Sequence, residues 1–297
     1  MGDQSATPIV TVIVPLFNGE DWLEATLASI AQQTFQDWEL VIIDDGSSDA
    51  GPIIARRFAE AVPQDVAIIE MSNSGPAAAR NTGILHARGE YVAFLDADDL
   101  WHREKLEAQL HELMSDSSVV AVICDYKVQS GSDETVLARR SFIWDDASLQ
   151  SWALMESFGP CLNSTLLVQR TVLECIGMFQ KSMTNIEDLE IAYRLDPAGK
   201  VTSTYREHMT YRMHKSQNHK DRSTVIRDYR YFLDEWQGVP GRIRARGQAN
   251  AVLLEALQCW HERRWLGAIR LGAESVGIAP LQWVRLILGA RRRRRSR

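Results

Sequence analysis

The chain has 297 residues, 45% of them apolar and 24% charged, with a formal net charge of −6. That length holds one large α/β domain or a core domain with a smaller companion, and that composition excludes wholesale disorder. Residues 291–297 hold six arginines, five in a row from Arg291 and then Arg297, so the body before them carries 27 basic and 39 acidic residues, a net −12. An acidic body with a short basic tail excludes the basic folded face of a nucleic-acid binder.

The first seven residues are polar and lack the apolar core of a signal peptide. Cys124, Cys161, Cys175 and Cys259 show no CxxC and no metal-ligand spacing. They read as reduced, mostly buried thiols of a cytoplasmic protein. No apolar run reaches bilayer length, since residues 276–290 are broken by Pro280 and Arg285.

Residues 9–14 are a β-branched run that predicts a buried strand, ended by Pro15 and Asn18-Gly19. Trp22, Leu23, Leu27 and Ile30 then recur at helical spacing. A second strand, 39–43, stops at Asp44-Asp45-Gly46-Ser47-Ser48-Asp49, and Ile53, Ile54 and Phe58 mark a second helix. Residues 66–69 predict a third strand and 76–87 a small-residue helix. Residues 91–95 predict a fourth strand that ends at Asp96-Ala97-Asp98-Asp99. Leu106, Leu110 and Leu113 mark the next helix, and 119–124 the next strand. Strand and helix in alternation imply βαβ units and a mostly parallel, Rossmann-like sheet flanked by helices. Ligands of such sheets bind beyond the carboxyl ends of the strands, where four polar clusters collect. From about residue 221 helical spacing takes over, so residues 1–220 read as the sheet domain and 221–297 as a helical C-terminal extension with a basic tail.

Each cluster has a chemical and a plain reading. Asp96 and Asp98 offer oxygen ligands to a hard cation that also meets substrate phosphates. Alternatively, Asp98 or Asp99 caps a helix starting near Trp101. Asp45 can accept from a base or ribose, or belong to a turn in which Gly46 supplies the permissive φ and Ser48 the cap. Arg80, in the run from Asn73 to Gly83, can fork onto a phosphate or serve a structural carboxylate. Glu187-Asp188 stands where Ile186, Leu189, Ile191 and Leu195 start a helix. A carboxylate there is favoured by the dipole and can also act as a general base.

In this order the segments resemble family 2 glycosyltransferases of the GT-A fold. The matching stretches are Thr11-Val12-Ile13-Val14-Pro15-Leu16-Phe17-Asn18, Asp44-Asp45-Gly46-Ser47-Ser48-Asp49, residues 73–83, Gly89-Glu90-Tyr91-Val92-Ala93-Phe94-Leu95-Asp96-Ala97-Asp98-Asp99, Glu187-Asp188, and Tyr211-Arg212-Met213-His214. The resemblance implies a nucleotide-sugar donor, UDP-linked by default, held by Pro15, Phe17, Asp45, Arg80 and Asp96. It implies Mn²⁺ or Mg²⁺ on Asp98 and Asp96, with His214 a further candidate ligand. Asp188 would be the catalytic base, supported by Glu187, in an inverting displacement by a sugar or lipid-linked sugar acceptor. Cell-surface polysaccharide or glycolipid synthesis is the expected setting. His261-Glu262-Arg263-Arg264-Trp265 only imitates the Gln-x-x-Arg-Trp motif of processive relatives and reads instead as part of an amphipathic helix, so addition of a single sugar is expected.

Two other classes fit parts of the pattern. A nucleotidyltransferase shares the architecture, but residues 15–20 lack its Gly-rich loop with Arg or Lys. An inactive sugar-nucleotide-binding scaffold would have no need of Asp45, Asp96, Asp98 and Asp188 together. At the C-terminus, Leu281, Trp283, Val284, Leu286, Ile287 and Leu288 precede Arg291. This pairing suits either packing on the body or an anionic membrane surface met through Arg291–Arg297, which would make the protein peripheral at the inner face of the membrane.

Overall fold

The computed structural model describes residues 7–130, 136–140, 162–183, 185–214, 222–235 and 241–278. The basic tail, the segment from Pro280 onward and Cys161 therefore lie outside the described residues. By contact the chain divides into two units: residues 1–149, 160–183 and 187–217, and residues 150–159, 184–186 and 218–297.

The first unit begins with β1 (Val10–Leu16), α1 (Leu23–Ala31), β2 (Trp38–Asp44), α2 (Gly51–Ala61), β3 (Val66–Glu70), α3 (Pro76–His86) and β4 (Tyr91–Phe94). There follow β5 (Leu100–Trp101), α4 (Lys105–Ser115), β6 (Val119–Ser130) and β7 (Val136–Arg140). It closes with α5 (Leu162–Thr165), β8 (Leu167–Gln169), α6 (Arg170–Cys175), α7 (Glu187–Leu195) and β9 (Lys200–Met213). The nine strands form one sheet in the order β3-β2-β1-β4-β8-β6-β9-β5, with β7 on β6. β1, β2, β3 and β4 pair in parallel. β8 is antiparallel to both β4 and β6, so β6 and its parallel partner β9 run with the first four. The sheet is thus mostly parallel, as the βαβ alternation predicts, with short antiparallel strands inserted in its second half.

β1, β2 and β4 are buried almost throughout, which is why they read as continuous apolar runs. α3 lies close on this sheet because its side chains are small. A Cβ on Gly83 would stand 2.4 Å from Ile13 Cγ2. At the amino ends of the strands a buried network closes the sheet. Thr11 Oγ1 donates to Glu39 Oε1 at 2.6 Å and accepts from Gly89 N–H at 2.9 Å. Arg88 Nε donates to Glu39 Oε2 at 2.6 Å.

Several local expectations are corrected. The helix expected near Trp101 starts at Lys105, and Trp101 lies in β5. Neither Asp98 nor Asp99 caps it; Asp99 is fully buried, accepts from Ser164 Oγ at 2.7 Å and serves as an internal acceptor. Ser48 does not cap α2, whose first amides are met by Glu20 and Asp49 instead. Of the described cysteines, Cys124 and Cys259 are buried and Cys175 is exposed.

The second unit contains α8 (Arg222–Glu235), α9 (Gly241–His261) and α10 (Trp265–Ile278). Residues 261–265 do not continue one helix. α9 stops at His261, Arg263 takes a positive φ of 59°, and α10 starts at Trp265. No helix among the described residues is long and apolar enough to cross a membrane.

The α3–β1 approach generates a test. Gly83→Ala gains roughly 1 kcal/mol as a helix former, but overpacking against Ile13 costs about 1–3 kcal/mol. A net loss of stability is expected. A urea midpoint equal to or above the parent's contradicts this packing.

Candidate active site

The loops after β1 and β2 are sewn together. Asn18, held at φ 51°, donates its N–H to Ser47 Oγ at 3.0 Å, and Ser48 N–H returns a bond to Asn18 Oδ1 at 2.8 Å. Glu20 N–H donates to Asp49 Oδ2 and Ala50 N–H donates to Glu20 Oε2, both at 2.8 Å. Asp44 Oδ1 accepts from Ser47 N–H at 2.9 Å. Pro15 sits opposite Ile43 at the end of β1, and Phe17 follows with its ring exposed.

Asp45 is buried beside this seam. Its Oδ1 accepts from Ser74 N–H at 2.7 Å and its Oδ2 from Gly75 N–H at 2.8 Å. Gly75, at φ 88°, turns the chain into α3, and the left-handed geometry explains the glycine. Asp45 thus fixes the turn, while each oxygen keeps a second lone pair for a ligand.

Arg80 points from α3 into the centre. Its side chain is only 4% exposed, and it donates to Asp96 Oδ1 at 2.6 Å and to Glu187 Oε1 at 2.8 Å. Asn163, with its amide oxygen turned inward, accepts from both terminal nitrogens at 3.1 and 3.2 Å. Phe179 lies beneath, its centroid 5.6 Å from the guanidinium carbon. Burial opposes the charge, but Asp96 and Glu187 outweigh it and hold the group above the usual arginine range. Of the two readings of Arg80, the structure shows the one in which it serves carboxylates, and those carboxylates are themselves candidate site residues.

A second group forms around Asp98. His214 Nε2 lies 2.9 Å from Asp98 Oδ2, 116 residues away in sequence. The imidazole stacks on Trp22 at a centroid distance of 4.6 Å and an angle of 21°. The Arg212 guanidinium lies over the same indole at 5.1 Å and donates to Asp98 O at 2.5 Å and Thr26 Oγ1 at 2.7 Å. Trp22 precedes α1 and supports the site, where periodicity reads it as a core position.

Asp188, at the first turn of α7, is half-buried. Burial and then the adjacent Glu187 carboxylate push its carboxyl up to about 8; Leu189 N–H and Arg80 oppose the shift. Asp96 also acts on it, so the Arg80 group and Asp188 share one electrostatic environment.

The structure brings six of the sequence-predicted residues into two adjoining groups, while Pro15 belongs to the end of β1 and Phe17 and Asp45 to the loops after β1 and β2. Arg80, Asp96, Glu187 and Asp188 form one, Asp98 and His214 the other, with Asp96-Ala97-Asp98 linking them. Asp96 faces Arg80, while Asp98 faces His214. Trp22, Asn163, Ser164, Phe179 and Arg212 complete the site and were not assigned from sequence. Only Arg212 carried a signal, lying inside the segment quoted for His214.

The donor set fits a divalent cation. A carboxylate oxygen and an imidazole nitrogen suit Mn²⁺, and carboxylate alone suits Mg²⁺. Among the described residues no three His, Cys, Asp or Glu side chains form a metal cluster. Asp98 and His214 would thus hold the ion together with water and substrate phosphate oxygens, the usual arrangement for a metal shared with a nucleotide.

Comparison with known proteins bears on this geometry. The glycosyl transferase family 2 model matches residues 11–177. TuaG of Bacillus subtilis, named a putative teichuronic acid biosynthesis glycosyltransferase, is 38% identical over 145 residues, covering 47% of this chain and 57% of TuaG. An uncharacterized glycosyltransferase of Nostoc sp. is 31% identical over 222 residues, 71% of this chain and 66% of that protein. Among solved structures, S. aureus TarS 1–349 in complex with UDP-GlcNAc matches with a TM-score of 0.66 at 17% identity, over 91% of this chain and 81% of that one. Mannosyltransferase PcManGT from Pyrobaculum calidifontis, in complex with GDP-Man and Mn²⁺, matches with a TM-score of 0.63 at 22% identity, over 97% and 81%. These likenesses show the fold, the GT-A architecture that the sequence resembles.

Two tests follow from the site. Arg80→Ala leaves Asp96 and Glu187 facing each other without their cation, which costs about 3–5 kcal/mol. Calorimetric or urea unfolding reads the loss, and a cost below about 1 kcal/mol contradicts the shared ion pair. For Asp188 the native carboxyl sits at about 8, above its ordinary 3.8. The native state therefore binds the extra proton between those values. The stability it contributes is full below the lower value and is lost as pH rises through the upper. Asp188→Asn should flatten the fall in unfolding free energy between pH 5 and pH 8; an unchanged slope rejects the raised value.

Proposed function

Since the chain belongs to glycosyl transferase family 2, we propose that it moves one sugar from a nucleoside-diphosphate sugar to an acceptor hydroxyl, with inversion and with a divalent metal. The observation that carries this reading is the Arg80 ion pair. It sets a carboxylate of the Asp96-Ala97-Asp98 strand end beside the Glu187-Asp188 helix start. In this reading the leaving-diphosphate site and the base are neighbours.

In this reading Asp45 meets the base, and Pro15 and Phe17 line the nucleotide beside the sewn loops. Asp96 reaches the ribose while remaining on Arg80. Bound by Asp98, His214 and the diphosphate, Mn²⁺ or Mg²⁺ would supply electrophilic stabilisation of the charge that develops on the leaving group. Trp22 and Arg212 keep the His214 ring in place. Arg80 adds fixed positive charge close to the diphosphate. Asp188, once ionised, takes the proton from the acceptor hydroxyl as that oxygen bonds to the anomeric carbon. The bond from that carbon to the diphosphate oxygen breaks on the opposite face, so the configuration inverts. Glu187 holds Arg80 and raises the basicity of Asp188.

UDP is the donor base we favour, in keeping with the UDP-GlcNAc complex of TarS. The name of TuaG supports a cell-surface polysaccharide as the acceptor class. This chain spans 57% of TuaG's length, so the pathway rests on that part alone. The family membership removes the nucleotidyltransferase reading.

Calorimetric titration of UDP and GDP, with Mn²⁺ or with EDTA, tests the reading. Tighter binding with Mn²⁺ is expected, and Asp98→Asn should abolish the difference. Asp188→Asn should retain UDP binding but lose transfer by several orders of magnitude. Metal-independent affinity for both nucleotides, or turnover by Asp188→Asn near the parent rate, refutes the assignment.

A further inference from the structure

α10 buries one face and leaves the opposite one without a partner among the described residues. Ala268 and Ser275 are buried, and Ser275 Oγ donates to Ala249 O of α9 at 2.6 Å. On the other side Leu266 is 86% exposed and Ile269 64%, with Ala273 and Val276 continuing the stripe at helical spacing. At the start of the helix Trp265 meets Trp260 of α9 edge to face, centroids 4.5 Å apart, and both residues are about half exposed. Arg263, Arg264 and Arg270 are exposed around this end. Arg264 is paired with Glu262.

Charge selects the occupant. Residues 262–297 contain ten arginines and two glutamates, a net +8, while residues 1–261 carry a net −14. Seven of the ten arginines lie outside the described residues, in the stretch that follows α10 directly in sequence, so a symmetric dimer through this helix would bring two strongly basic C-terminal stretches together. Nucleic acid would satisfy the arginines but leave the aliphatic stripe in water. A surface with anionic groups above an apolar layer satisfies both. Tryptophan sits well at headgroup depth, and Leu, Ile and Val below it.

We propose that the Leu266–Ile269–Val276 face of α10, with Trp260 and Trp265, docks in the plane of an anionic lipid surface. The helix lies on the bilayer and does not cross it, and the arginines meet lipid phosphates. The inference is independent of the donor and base assignments.

The test uses the full chain and vesicles of phosphatidylcholine alone or mixed with phosphatidylglycerol. Sedimentation should show binding to the mixed vesicles at low salt, and less at high salt or on phosphatidylcholine. Leu266→Glu combined with Ile269→Glu should weaken binding roughly tenfold or more, since two exposed apolar side chains lose their contact. Circular dichroism and UDP affinity should not change, because these residues lie on a solvent face. A loss of UDP affinity in the parent would speak against the proposed function and leave the docking result standing. The proposal is overturned if the parent ignores anionic vesicles or if the double variant binds like the parent. It is also overturned if removing residues 291–297 abolishes all binding that the double variant retains in full. A lipid-free dimer broken by the same double variant would assign the face to a second copy and likewise overturn it.

Discussion

One buried cation organises the candidate active site of this fold. Arg80 belongs to α3, Asp96 to the end of β4 and Glu187 to the start of α7, so a single guanidinium joins parts 16 and 107 residues apart. Little water reaches Arg80 and Glu187, and each charge needs the other two. Such an arrangement adds little net stability compared with an apolar core of the same shape, but removal of one member is costly. Its value is positional. It fixes which strand end faces which helix start, and with that the separation between the proposed diphosphate edge and the proposed base.

The same arrangement sets proton affinity. Glu187 is committed to Arg80, yet its charge still acts on Asp188 next to it. Burial pushes in the same direction. Asp188 therefore approaches the basicity that proton abstraction near neutral pH requires, whereas an exposed aspartate would be too weak a base. A cationic ligand arriving at Asp98 would lower the proton affinity of its neighbours, which would link occupation of the site to ionisation of Asp188.

In the parallel half of the sheet β1, β2 and β4 were legible because they are buried on both faces and spell continuous apolar runs. Polar clusters at their carboxyl ends were legible for the same reason: they interrupt those runs. The second half was not. β5 has two residues and β8 three, too few for a periodic pattern, and β8 slips between β4 and β6. Lys105 shows the limit of composition. It is fully buried, donates to Gln109 Oε1 at 2.6 Å and sits 4.1 Å over the Trp101 ring. Nothing in sequence distinguishes it from a solvated lysine at a helix start. Arg80 and Asp188 could be picked out, but the partners of Arg80 could not, since ion pairs between distant segments leave no local spacing. Trp22 failed for a different reason: its helical spacing with Leu23 and Leu27 mimics a core position, while its ring supports His214.

The seam between the loops after β1 and β2 has a thermodynamic consequence. Asn18 with Ser47 and Ser48, and Glu20 with Asp49 and Ala50, exchange bonds in both directions across the gap. Two loops that would otherwise move separately form one rigid rim. A ligand meeting a rim that is already ordered loses less of its contact energy to freezing the protein, so modest contacts can give useful affinity. Rigidity also limits adaptation. If the nucleobase is held there as proposed, one of different width would not be met by flexing the rim, and discrimination between nucleotides would come from shape that exists before the ligand arrives.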